Sequence, residues 1–210
     1  MKHFDANAMI GAHFAPREGR VWSADDLVAE MDFYGIDDAL VYHGLAAEYD
    51  LDYGNRQLLD ALRGRPRLHP CMVVAVPPHG PAPAFESMLR DAIRAGVKAV
   101  RFFWGGPLPL LTVLDLDTLG DLFTTLERHR LPMVLTNNAG TEISGDQIVQ
   151  VKNVCKAFPA LPVILSSPKL SRDFQIIYTL LDRCRNFHLD TSSIHGNGLL
   201  EEIARRFGVH

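Results

Sequence analysis

Cysteine is scarce in this chain: Cys71, Cys155 and Cys184 are odd in number, widely spaced and form no Cys-x-x-Cys pair. That excludes a disulfide framework and a zinc ribbon, and predicts three reduced, buried thiols. A charge surplus is missing as well, with Lys+Arg 21 against Asp+Glu 25 and a net charge of -4. Neither a nucleic-acid partner nor a membrane-surface helix follows from such a balance. No apolar run approaches the roughly 20 residues of a membrane span, and Met1-Lys2-His3-Phe4-Asp5 lacks the apolar core of a signal peptide. The expectation is a cytoplasmic protein whose partner is a small molecule. A Gly-rich dinucleotide loop is also absent after the first apolar run. Gly105-Gly106-Pro107 lacks the Lys-Ser/Thr that would make it a phosphate cradle and reads as a loop bend.

What is present is enough apolar residue to build a large core. At 210 residues and 47% hydrophobic, the chain is most simply one domain, 1–210. Short apolar runs alternate with longer amphipathic ones, the pattern of repeated β-α units. The predicted strands are Phe4 to Ala8, Ala39 to His43, Cys71 to Val76, Val97 to Phe103, Pro132 to Thr136, Pro162 to Ser166 and Phe187 to Thr191. Each is apolar over its whole length, as parallel strands covered on both faces are. Ser23 followed by Asp25-Asp26 opens a helix that Gly35 closes, and Phe85, Met88, Leu89, Ala92 and Ile93 form one apolar stripe before Gly96. Further helices are predicted around Leu119 to His129, Gln147 to Phe158, Phe174 to Cys184 and Leu199 to Phe207. Strands starting about every thirty residues favour a TIM (β/α)8-type barrel, incomplete with seven β-α units. Open edges on the first and seventh strands would need covering, which predicts a homo-oligomer.

The order and spacing of these segments resemble the amidohydrolase-related family of TIM-barrel metal-dependent hydrolases. Asp5-Ala6-Asn7-x-Met9-x-Gly11 matches the first-strand pattern Asp-Ala-His-x-His, with Asn7 and Met9 at the two metal-binding positions. Val97 to Phe102, Leu131 to Thr136, Leu161 to Ser167 and Asn186 to Ser192 resemble the fourth to seventh strands. The resemblance implies histidines at the ends of strands five and six, where this chain has Thr136 and Ser167, and an aspartate closing an eighth strand, which this chain lacks. An amide oxygen is a weak neutral ligand and a thioether is too soft for zinc or manganese, so no cofactor is assigned, although the family implies a divalent metal such as zinc.

The residues expected at the C-terminal ends of the strands are nonetheless polar. Arg101, His43, His195 and Asp190 are the catalytic candidates. Asn7, Trp104, Thr136, Asn137, Ser167 and Lys169 are the substrate-binding ones, with His13, His79, Asn138 and Ser192 nearby in the pattern. Arg101 can anchor a carboxylate or phosphate, form a structural pair with Asp190, or point its guanidinium outward. His43 and His195 follow strands two and seven and can shuttle protons near neutral pH, or serve as ordinary hydrogen-bonded loop histidines. Thr136-Asn137-Asn138 offers hydroxyl and amide groups, or simply an Asn-Asn turn. Two functions follow by resemblance: a hydrolase or lyase acting on a small polar, acidic metabolite, and a catalytically inactive ligand-binding or partner subunit with the same fold.

Overall fold

The computed structural model describes residues 2–12, 23–76, 84–104, 113–137, 143–166, 174–192, 194 and 196–208. Two compact units divide the chain, residues 1–102 and 103–210. In the first, β1 (Phe4–Ile10), α1 (Ala24–Tyr34), β2 (Asp38–His43), α2 (Gly44–Glu48), α3 (Leu51–Leu62), β3 (Leu68–Val73) and α4 (Phe85–Arg94) lead into β4 (Ala99–Trp104). The second holds α5 (Leu116–Arg128), β5 (Met133–Asn137), α6 (Gly145–Ala157), β6 (Val163–Ser166), α7 (Phe174–Arg183), β7 (Phe187–Leu189) and α8 (Leu199–Phe207). Neighbouring strands in each unit are parallel and follow chain order, β1 to β4 and β5 to β7. Among the described residues, seven strands, each followed by helix, make this an α/β fold of the (β/α)8-barrel type with seven β-α units.

The helix ends follow the sequence closely. Ser23 Oγ accepts from the Asp26 amide at 3.1 Å and the Asp26 carboxylate accepts from the Ser23 amide at 3.1 Å, a reciprocal cap on α1. Gly35 ends that helix at φ 69°, a left-handed conformation that costs other residues more. In β1, Ala8 and Ile10 are buried with Leu27 and Met31 of α1, Val41 of β2 and Leu58 of α3. Each of these side chains larger than alanine contributes about 1.5–3 kcal/mol when fully buried. Because successive strand residues point to opposite faces, Asn7 and Met9 face away from this helix layer, toward the strand interior.

Some details go beyond or differ from the sequence expectation. Strand β3 begins at Leu68, because Leu68, His69 and Pro70 pair with Ala39, Leu40 and Val41 of β2. Beyond Pro70 that pairing stops, and the Asn55 amide of α3 takes over: its Nδ2 donates to the Val73 carbonyl at 2.8 Å and its Oδ1 accepts from the Val73 amide at 3.0 Å. One side chain thus satisfies both backbone groups of a strand residue. Helices α2 and α3, between β2 and β3, are not evident in the sequence. They lie so close that a Cβ on Gly54 would overlap the backbone of Ala46.

All three cysteines are free and buried. Burial, with the neighbouring Cys184 thiol, pushes the Cys155 thiol up to about 12, so it stays protonated at neutral pH. No helix among the described residues is long and apolar enough to cross a membrane.

Candidate functional site

The first cluster is organised by a defect in strand pairing. Asp5 pairs with Ala39 and Ala8 with Val41, so β1 carries one residue more than β2 between these points. In this bulge the Asp5 carboxylate accepts from the Asn7 amide at 2.8 Å. Bulges re-aim side chains and interrupt the ladder. Here the interruption presents two oxygens to one cation: Arg101 Nη1 donates to Asn7 Oδ1 at 2.8 Å and Nη2 to the Ala6 carbonyl at 3.2 Å.

Arg101 is 0% exposed. Its guanidinium carbon lies 4.4 Å from the centre of the Tyr42 ring on β2, a cation–π arrangement. On β3, burial raises the pKa of the Cys71 thiol, and the charge of Arg101 and hydrogen bonding from it act in the opposite direction. From β4, one side chain therefore touches β3, β2 and β1. Both Nη groups are engaged within the protein, so Arg101 acts on its surroundings through its field as well as by contact.

His43 closes β2 and begins α2. Its Nδ1 accepts from the Leu45 amide at 3.3 Å, which places the proton of the neutral ring on Nε2. The ring lies against Gly11, at φ +83°, where a Cβ would overlap the imidazole. Burial lowers the His43 pKa from its ordinary 6.5. The unfolded chain therefore binds this proton more readily than the folded one. Its contribution to stability is complete above about pH 6.5 and is lost as pH falls from there through the folded value. We expect the thermal midpoint to fall between about pH 7 and 5, and the slope of that fall to be smaller in His43→Asn. Equal slopes in both proteins would assign the acid sensitivity elsewhere.

A second, separate cluster lies in the second unit. The Asp190 carboxylate, just beyond β7, accepts from Ser166 Oγ at 2.9 Å, from Ser192 Oγ at 2.9 Å and from the Ser192 amide at 2.9 Å. Its own amide donates to Leu165 on β6 at 2.9 Å. Asp190 thereby ties the end of β7 to β6. Thr136 is the register partner of Ser166 across β5 and β6, and Asn137 follows it; both are buried. Trp104 is 2% exposed and part of the core. The remaining candidates, His13, His79, Asn138, Ser167, Lys169 and His195, lie outside the described residues.

Tyr42 and Asn55 carry no motif in the sequence, and Cys71, Gly11 and Ser166 carry none that marks a site. For Tyr42 a signal existed. It lies one residue from Val41 on the outer face, so its ring must face inward beside Asn7 and Met9.

The divalent metal that the resemblance implies does not suit these residues. Asn7 Oδ1 already accepts from a guanidinium, and a dication beside that fixed positive charge would be repelled. Met9 offers only a thioether, whose sulfur lies near Gly44. No group of three His, Cys, Asp or Glu able to hold a metal occurs among the described residues.

No family sequence model matches the chain, and no curated protein sequence matches it. Solved structures do. An amidohydrolase 2 from Bifidobacterium longum subsp. infantis shares 15% identity at a TM-score of 0.66, covering 99% of this chain and 80% of its own. An uncharacterised TIM-barrel protein from Bordetella bronchiseptica shares 16% identity at 0.65, covering 89% of this chain and 66% of its own. A probable 2-pyrone-4,6-dicarboxylic acid hydrolase from Acinetobacter baumannii, with citric acid bound, shares 16% at 0.54, covering 79% of this chain and 58% of its own. The chain thus spans less than two thirds of the length of the latter two. At these identities the likeness is one of architecture, and the chain shares the TIM-barrel fold of these proteins.

Proposed function

We propose that this chain is a metal-independent barrel that binds a small acidic metabolite at the C-terminal ends of its strands, without metal-dependent hydrolysis. The observation that carries the reading is the 2.8 Å hydrogen bond from Arg101 to Asn7 Oδ1. It commits the first-strand position to a cation the protein supplies itself. A fixed guanidinium in a low-dielectric interior favours an anion nearby. The neutral His43 ring, with its proton on Nε2, offers a hydrogen-bond donor at the end of β2. The Acinetobacter structure, named for a dicarboxylic acid and solved with citric acid, supports the choice of acidic ligands for a first screen.

Metal analysis and thermal unfolding test this together. Protein grown with added zinc and manganese and washed with a mild chelator is expected to retain almost no metal. Its unfolding midpoint is expected to rise with citrate, malate or malonate and not with their neutral amides. A ligand at a hundred times its Kd stabilises by about 2.7 kcal/mol, roughly 5–10 °C for a domain of this size. One tightly held ion per chain would overturn the reading.

A second reading, a metal-free hydrolase or lyase, is favoured by His43 alone: burial keeps its imidazole neutral, the form that can accept a proton. It predicts turnover of an acidic substrate that His43→Gln abolishes.

A further inference from the structure

We infer that the Arg101 guanidinium is a resident cation, taking on β1 the place that a bound dication takes in the metal-dependent barrels this chain resembles. The inference rests on the metal-free reading above and deepens it by naming what replaces the metal. Its basis is convergence on one group. The bulge in β1 turns the Ala6 carbonyl and the Asn7 amide oxygen toward Arg101, at 3.2 Å and 2.8 Å. The Tyr42 ring presents its π face at 4.4 Å, and the Cys71 thiol is near enough to feel the arginine charge. Two neutral oxygens, an aromatic face and a sulfur are donors of electron density, the environment a cation requires. An alternative is that Arg101 merely fills space. That alternative accounts for burial but gives no reason for a strand bulge to aim two oxygens at the guanidinium.

A carboxylate introduced at position 7 separates the possibilities, because a fixed cation and an unfilled metal site respond to it differently. Asn7→Asp is nearly isosteric, so the fold is retained. With chelator present at neutral pH, the thermal midpoint of Asn7→Asp is expected to exceed that of the unaltered chain. Added manganese should raise it no further, and the gain should vanish in acid as the new carboxylate protonates. In an Arg101→Met background the same substitution should stabilise only when manganese is added. A lower midpoint for Asn7→Asp at neutral pH overturns the inference, as does an equal gain from manganese with and without Arg101. Metal retained by the unaltered chain would instead overturn the metal-free reading itself, so the two failures are told apart.

Discussion

Replacing Arg101 with alanine is expected to lower the free energy of unfolding by about 3–5 kcal/mol, because the hydrogen bonds of a charged donor and a large buried side chain are lost together. Several losses add in one direction. Asn7 Oδ1 and the Ala6 carbonyl lose the donors at 2.8 Å and 3.2 Å, and a buried polar group deprived of its partner costs about 1–3 kcal/mol. The cation–π contact with Tyr42 disappears. A cavity remains where a fully buried side chain had touched three neighbouring strands, and cavities add to the transfer cost. Urea denaturation followed by far-UV circular dichroism measures the change. For a protein of this size it corresponds to roughly 10 °C in the thermal midpoint. Arg101→Lys keeps the charge but loses the planar fork, so it should fall between the unaltered protein and alanine. A loss below about 1 kcal/mol for Arg101→Ala would mean that the guanidinium network contributes no more than an ordinary surface pair.

That network could not be read as a unit from the sequence. Arg101 and Asn7 are far apart in the chain, and the hydrogen bond between them exists only once β1 and β4 have folded into the same unit. Each residue was visible singly, Asn7 because it stands where a histidine is expected and Arg101 because a charged side chain interrupts an apolar strand. The β-α alternation was legible for a simpler reason: strands such as β4 and β5 are buried along their whole length, so an apolar run marks them directly. The capped start and left-handed end of α1 were legible because Ser23 and Gly35 act locally. Helices α2 and α3 were not; each contains a glycine, Gly44 and Gly54, a residue that disfavours helix. Both glycines are close-approach points: a Cβ on Gly44 would overlap the Ala12 carbonyl, and one on Gly54 the backbone of Ala46. Asp190 shows the same limit at smaller scale. Its place at a strand end marked it as a site candidate, but the sequence did not show that its carboxylate accepts three hydrogen bonds from Ser166 and Ser192 and fastens β7 to β6. Serines at strand ends carry no pattern that distinguishes such a clamp from solvent exposure.

Gly11→Ala is the second substitution expected to act strongly, and it tests whether the mouth of the first unit is built around His43. Gly11 sits at φ +83°, where a Cβ costs about 1–2 kcal/mol in backbone strain. The larger effect is steric, since that Cβ would fall within the imidazole of His43, which must swing away. Swinging away breaks the 3.3 Å hydrogen bond by which His43 Nδ1 caps α2, a loss of about 0.5–2 kcal/mol for a helix N-terminus. The expected sum is about 3 kcal/mol, measured by urea denaturation. The signature lies in the pH dependence. A displaced His43 ring is better solvated, so the burial that lowers its pKa is relieved and its share of the acid sensitivity between about pH 7 and 5 shrinks. His43 titration followed by NMR should show its pKa returning toward 6.5 in Gly11→Ala. A destabilised Gly11→Ala protein with an unchanged His43 titration would assign the effect to backbone strain alone, and the contact between glycine and imidazole would then have no part in keeping this histidine neutral.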